Sequence, residues 1–349
     1  MNHLCGHLNF CIVQNANDYA IGKVNSIMTL RILHHNDPDG YASAYIVYDY
    51  MMKSDVDPSM KDIHFHSMAY GQPVPAEIDY EKDHLVMVDF SLQPLAVMDE
   101  FVAKIPWDQF VWIDHHKTAV ELEAALTQRD MPIPGIRVTH DPHGVPVAAC
   151  ELTWKFFYPT EETPIGIALL GGWDTWRYVT QNDVRSKYFI QYCNSTDCTP
   201  ATYEGQEFWG RVIVANEDPY GWLMDTVLKE GAAVDRFRTI DNRKTIQGKG
   251  FLGKFAGHSA IIVNAFGSSL LFEDFTVHPS DVDLMVSFHY TPHGYWTVSM
   301  YSVQEHVDCG TIAKTAGEAG PRPSGGGHKG AAGFQCDWPY IESLIERVK

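Results

Sequence analysis

Four short clusters of acids and imidazoles interrupt the apolar stretches of this 349-residue chain. The first is His34-His35-Asn36-Asp37-Pro38-Asp39-Gly40, the second Asp89-Phe90-Ser91, the third Asp114-His115-His116, and the fourth Gly171-Gly172-Trp173-Asp174. Gathered in space, they would supply the carboxylates of Asp37, Asp39, Asp89 and Asp174 and the imidazoles of His35 and His115. Carboxylate oxygen mixed with imidazole nitrogen suits Mn²⁺ or Mg²⁺ better than a thiolate-rich zinc site. Six side chains exceed what one ion needs when it must keep a position open for water. Two divalent ions sharing a bridging carboxylate fit the inventory, and metals paired about 3.5–4 Å apart recur where a phosphoryl group is displaced. Such a pair activates water and stabilises charge building on the phosphoryl oxygens. Taken singly, each cluster has a plainer explanation: Asp37-Pro38-Asp39-Gly40 reads as a turn and Asp89 as a helix cap. Their joint occurrence, in order, is what points to a metal centre.

The elements that must position these residues follow from the apolar pattern. Short apolar runs occur at 30–33, 63–65, 85–88, 110–113 and 136–138, with helical or loop stretches such as 41–52 and 119–126 between them. Continuous apolar strands separated by helices predict a parallel sheet covered on both faces. Three of these runs end in the first three clusters. The carboxyl ends of neighbouring parallel strands converge on one crevice, so clusters distant in sequence are expected to meet. The runs 152–157 and 165–170 read as helices, the second leading to Asp174. Residues 220–247 have helical periodicity and few breakers and read as a long connecting helix. Strands return at 260–265, 283–289 and 296–302, followed by a helix over 308–316 and the run Gly325-Gly326-Gly327-His328. The expected architecture is therefore α/β: a parallel-sheet domain over 28–190, a helical linker region over 191–248, and a smaller α/β domain with a mixed sheet over 249–349. Residues 1–27 fit this pattern poorly, and Met28 opens a clean strand, so the first 27 residues read as a leader or upstream extension.

Composition narrows the function classes. Twenty-six Lys and Arg against 44 Asp and Glu give a formal charge of −18, which argues against a broad surface for long nucleic acid. A small anionic substrate stays compatible, because bound cations reverse the local field. The seven cysteines form no CxxC and are odd in number, so neither a disulfide framework nor a zinc ribbon is indicated, and a reducing cytoplasm is expected. No apolar run approaches the roughly 20 residues a membrane span needs, and the start lacks signal-peptide features.

With these motifs in hand, the sequence resembles the DHH-superfamily phosphoesterases with their DHH-associated C-terminal domain, which include nanoRNases, RecJ exonucleases, cyclic-dinucleotide phosphodiesterases and family II pyrophosphatases. The resemblance covers about residues 29–180 and, more weakly, 250–336. It rests on His35-Asn36-Asp37-Pro38-Asp39-Gly40, Asp89, Asp114-His115-His116, Asp174, and Gly325-Gly326-Gly327-His328 followed by Ala331-Ala332-Gly333-Phe334. It implies that His35 and Asp37 hold one metal, that Asp39, His115 and Asp174 hold the other, and that Asp89 bridges them. It implies that Asp114 orients an imidazole through a hydrogen bond and that His116 faces the scissile phosphate. Gly325, Gly326, Gly327 and His328 would contact substrate, since consecutive glycines let backbone N–H groups approach a phosphate. Two features depart from the family. Leu33 stands where many relatives place the first-motif His, and Met300-Tyr301-Ser302 lacks the Arg that many carry before Ser. Lys314, Arg322 or Lys329 could replace that cation, Lys329 best because it follows His328.

The function these features imply is metal-dependent hydrolysis of a short oligonucleotide or dinucleotide to mononucleotides, with two Mn²⁺, or Mg²⁺, as cofactors. A cyclic dinucleotide and 3′-phosphoadenosine phosphate are alternative substrates within the same chemistry. A nucleotide-binding protein without turnover is the alternative of another class. Tyr41, Phe90, Trp173 and Trp176 are candidates for stacking on bases. A homodimer is compatible with the sequence; a membrane or long duplex is not an expected partner.

Overall fold

The computed structural model describes residues 28–54, 61–126, 133–214, 221–272, 281–321 and 325–347. The expected leader and Arg322 lie outside the described residues. The chain divides into two compact units, Met1–Val234 and Asp235–Lys349.

The first unit is built on four parallel strands: β1 (Met28–His35), β2 (Lys61–Met68), β3 (His84–Val88) and β4 (Phe110–Ile113), in the order β2-β1-β3-β4. Side chains alternate across the pleat, and both faces are apolar. Leu30, Ile32, Val86, Val88, Val111 and Ile113 pack on one side; Leu33, Leu85, Met87, Phe110 and Trp112 pack on the other. Helices α1 (Pro38–Lys53) and α4 (Ala149–Phe157) cover the first face; α2 (Leu95–Lys104) and α3 (Lys117–Leu126) cover the second. The expected fifth strand at 136–138 is not a strand of this sheet. The segment runs beside β4 through Trp112 N–H to Pro134 O and Asp114 N–H to Ile136 O, at 2.9 and 3.0 Å, and leaves after one bridge at Arg137. The Arg137 guanidinium also donates to Trp112 O and Pro134 O.

Beyond the sheet lies a helical layer: α5 (Ile165–Asp174), α6 (Arg177–Gln181), α7 (Val184–Cys193) and α8 (Tyr203–Ile213). A π-helical turn, Leu223–Leu228, leads into α9 (Lys229–Lys249). Cys193, Cys198, Phe208, Trp209, Val212, Leu223 and Val227 share one core with Ala42, Ile46, Ile167 and Leu170. The sequence reading sets a linker at 191–248, whereas residues up to Leu228 pack into the first unit's core. The reason is the apolar face of α8, where Phe208, Trp209, Val212 and Ile213 are buried.

The second unit is a mixed sheet of seven strands: β5 (Gly250–Phe255), β6 (His258–Asn264), β7 (Leu284–Tyr290), β8 (Trp296–Tyr301), β9 (Gly326–Gly327), β10 (Ala331–Cys336) and β11 (Ile345–Arg347), in the order β11-β5-β6-β7-β8-β10-β9. Only β6 and β7 pair parallel. Helices α10 (Cys309–Ala319) and α11 (Trp338–Leu344) complete it, with Phe255, Ile262, Val286, Val298, Ala313 and Ile341 in its main core. Among the described residues, no helix is long and apolar enough to cross a membrane.

Candidate metal centre

Position on the sheet brings the first three clusters together. The register pairs His34 with Val88 and Val88 with Ile113, so β1, β3 and β4 end level with one another. The chain passes from β1 to β2 on one side and returns to β3 on the other, making the carboxyl edge of β1 and β3 the point where strand order reverses. Asp37 caps α1: its Oδ1 accepts the Gly40 N–H at 2.9 Å, and Pro38 occupies the first turn. Gly40 is required there, because a Cβ would collide with the backbone of His35. Asp89 directly follows β3 in the left-handed region (φ 54°), and its N–H donates to Ile113 O at 2.9 Å. A non-glycine residue held in that conformation is a strain found at functional sites. Asp174 closes α5 and is carried in by Gly171 and Gly172, whose missing side chains admit the Glu151 carboxylate and the Ser186 hydroxyl.

Asp89 sits centrally. It is 1% exposed, and among the described residues neither carboxylate oxygen has a hydrogen-bond partner. Its Oδ2 lies 3.9 Å from His35 Nδ1, and its Oδ1 lies 3.4 Å from His115 Nε2 and 3.7 Å from His116 Nδ1. On one side, His35 Nδ1 is 2.6 Å from Asp37 Oδ2. On the other, His115 Nε2 is 3.3 Å from Asp174 Oδ2 and 3.7 Å from Asp39 Oδ2. The donor atoms fall into groups close enough to hold an ion: His35, Asp37 and Asp89; Asp39, His115 and Asp174. The six side chains singled out in the sequence therefore converge.

The electrostatics fit a cation. Burial pushes the Asp89 carboxyl well above the usual range, and the neighbouring carboxylates of Asp39, Asp37, Asp174 and Asp114 add to it. Burial and the same neighbours, Asp39 and Asp37, raise Asp174. A buried carboxylate with two unpartnered oxygens, surrounded by like charge, is costly unless a cation balances it. The residues present thus suit divalent metal, with Asp89 between the two groups.

Asp114 has a different task. Its Oδ1 lies 2.7 Å from His116 Nδ1 and accepts the His116 backbone N–H at 3.0 Å. Burial works to raise its carboxyl, yet the His116 imidazole and its hydrogen bond hold it below the usual range. The imidazole oriented by Asp114 is therefore that of His116.

Several contributing residues carry no sequence signal. The N-terminus of α4 is closed by Asp39, whose carboxylate accepts the Ala149 and Cys150 N–H groups at 2.9 and 2.8 Å. Ala148, at the cap position, has no acceptor of its own, and Glu151 reaches back to its N–H while pairing with Arg177 at 2.7 Å. Tyr70 lies over Phe90 and His35, with ring centroids 5.2 and 5.6 Å apart. Applying the carboxyl-end rule to β2 points to Ser67 and Tyr70; the absence of acids there hid them. Of the proposed stacking residues, Phe90 is 1% exposed, Trp173 stacks on Tyr178, and Tyr41 hydrogen-bonds Asn36.

Gly325, Gly326, Gly327, His328 and Lys329 lie in the second unit. Gly326 and Gly327 form the edge strand β9 against β10, and His328 opens a tight turn whose N–H donates to Ala331 O at 2.8 Å. All three glycines have positive φ. Side chains at Gly325 and Gly327 would meet the Ala313 carbonyl and Ala332. Met300 is buried and the Ser302 hydroxyl donates to Asp283 O, and β8 carries no Lys or Arg. Lys314 stands on α10.

No family model matches the chain, and no curated protein does. Solved structures are similar to it. The DHH domain of a protein described as belonging to a family of ribosomal proteins aligns with TM-score 0.60 at 14% identity, over 98% of this chain and 89% of that one. RecJ from Thermus thermophilus, in complex with Mn²⁺, aligns with TM-score 0.48 at 12% identity; 97% of this chain spans 53% of that one, about half its length. The pGpG-specific phosphodiesterase PggH from Vibrio cholerae aligns with TM-score 0.42 at 12% identity, over 91% of this chain and 96% of that one.

Proposed function

We propose that this chain, whose fold is that of the DHH-domain proteins, is a metal-dependent phosphoesterase that hydrolyses short oligonucleotides or dinucleotides to mononucleotides. The observation that carries this reading is Asp89, buried between two His/Asp groups with both oxygens unpartnered among the described residues. His35 and Asp37 would hold one divalent ion, Asp39, His115 and Asp174 the other, and Asp89 would serve both, with Mn²⁺ the expected metal. When bound, such ions supply Lewis acidity at the phosphoryl oxygens and lower the pKa of water. The protein's own groups do the rest. Asp114 commits Nδ1 of His116, so the nitrogen His116 offers to substrate is Nε2, suited to hydrogen-bond a phosphoryl oxygen or to pass a proton to the leaving oxygen. The Gly325, Gly326 and Gly327 backbone, His328 and Lys329 are the expected contacts to a substrate phosphate on the second unit. The charge of −18 favours short substrates over long strands.

The test is an assay with Mn²⁺ on two- to five-nucleotide RNA and DNA, linear and cyclic dinucleotides and 3′-phosphoadenosine phosphate, comparing the parent with His115→Ala. Mononucleotide release from the short or dinucleotide substrates, lost in the variant, is the expected result. A parent that binds Mn²⁺ and cleaves none of them refutes the reading.

A further inference from the structure

Asn36 stands between His35 and Asp37 on the carboxyl edge of the first sheet and is exposed. Its side-chain Oδ1 accepts two hydrogen bonds, from the Tyr41 hydroxyl at 2.5 Å and from the Ser67 hydroxyl at 3.0 Å. Tyr41 belongs to the first turns of α1 and Ser67 to the end of β2, so two separate elements grip one amide oxygen. An amide oxygen has two lone pairs, and both are taken. The Nδ2 group keeps two N–H donors, with no hydrogen-bond partner among the described residues.

We propose that Asn36 is a substrate-binding residue whose Nδ2 donates to an anionic oxygen of the substrate phosphate, with Tyr41 and Ser67 as the positioning residues that aim it. This rests on the reading of the adjoining centre as a phosphoesterase site. The chemistry is apt. The adjoining groups carry the carboxylates of Asp37, Asp39, Asp89 and Asp174, so a phosphate arriving there gains from a neutral donor fixed beforehand, which loses little on binding. The plainer role for Asn36 is a turn residue before a helix, and it makes a different forecast.

The experiment measures orthophosphate binding to the Mn²⁺-loaded full chain by calorimetry, alongside Mn²⁺ affinity and steady-state kinetics, for the parent and for Asn36→Ala, Asn36→Asp and Tyr41→Phe. A donor to a charged oxygen forecasts orthophosphate binding about ten-fold weaker in Asn36→Ala. KM should rise and kcat change little, because the contact exists in ground and transition states alike. Asn36→Asp, which sets an acceptor against the anion, falls further, and Tyr41→Phe falls between parent and Asn36→Ala. Parental orthophosphate affinity in Asn36→Ala, with only a lowered melting temperature, overturns the proposal. A parent without orthophosphate affinity at saturating Mn²⁺ overturns it also. Asn36-dependent orthophosphate binding in a parent that cleaves no ester would uphold the contact and refute the phosphoesterase reading alone.

Discussion

The carboxylate of Asp39 accepts the backbone N–H of Cys150 at 2.8 Å across 111 residues of sequence. Its other oxygen takes the Ala149 N–H while lying 3.7 Å from His115 Nε2. One side chain thus closes a helix N-terminus that has no capping residue of its own and faces the candidate metal cluster. Helix N-termini favour anions, so these two hydrogen bonds fix the Asp39 carboxylate in place.

This double role separates Asp39 from Asp174. Replacing Asp39 by Ala removes a cap as well as a ligand, and the apo protein should lose about 1–2 kcal/mol of stability. Asp174→Asn removes no cap and relieves the crowding with Asp39 and Asp37, so apo stability should not fall, while Mn²⁺ binding weakens. Urea denaturation with EDTA present, paired with Mn²⁺ titration, checks both; equal apo stability of the two variants would contradict the capping role.

Asp89 should show a crossed response. The metal-free centre packs Asp89 against Asp37, Asp39, Asp114 and Asp174, and Asn is among the residues that tolerate the left-handed backbone observed at this position. Asp89→Asn is therefore expected to melt at a higher temperature than the parent in EDTA. With Mn²⁺ at about 100 times the dissociation constant, the parent should gain about 2.7 kcal/mol by mass action, whereas the variant gains little. Differential scanning fluorimetry in both conditions reads the crossing, and a variant stabilised by Mn²⁺ as much as the parent would remove Asp89 from the metal site.

Gly40 makes the first cluster possible. Ala in a helix normally gains up to about 1 kcal/mol over Gly. Here the added methyl would press on the His35 backbone, so Gly40→Ala should destabilise the protein and displace His35 and Asp37 together. The check is Mn²⁺ stoichiometry: if His35 and Asp37 hold one of two ions as proposed, the variant should lose that ion before the other.

Legibility in the sequence followed locality. The acid-tipped strands were readable because continuous apolar runs announce a buried parallel sheet, and its carboxyl edge fixes where His35, Asp89 and Asp114 must go. Gly171 and Gly172 stood out only as neighbours of Asp174, and nothing in the sequence announced that Glu151 and Ser186 would pack against them. What stayed hidden depends on pairs far apart in the chain. Nothing at Ala148 announces that Asp39 will cap its helix, and nothing at Ser67 announces a bond to Asn36. The region after residue 190 read as linker because its Trp, Asp and Glu content obscured the buried face of α8.

A buried histidine away from the metal-binding cluster gives the fold its own acid sensitivity. His84 begins β3 opposite Leu30, is 2% exposed, and its Nδ1 has no hydrogen-bond partner among the described residues. Burial lowers its pKa from the ordinary value, so the folded chain keeps it neutral where the unfolded chain takes up a proton. The unfolded state binds more protons below a pH of about 6.5. Stability is therefore fully present above that pH, declines as pH falls toward the folded value, and levels off beneath it. In His84→Leu, which fills the site without a titrating group, the drop in melting temperature between pH 7.5 and pH 5.5 should be smaller than in the parent. Measuring both proteins in EDTA keeps metal release out of the comparison. An unchanged drop would place the acid sensitivity elsewhere and show that His84 is protonated alike in both states.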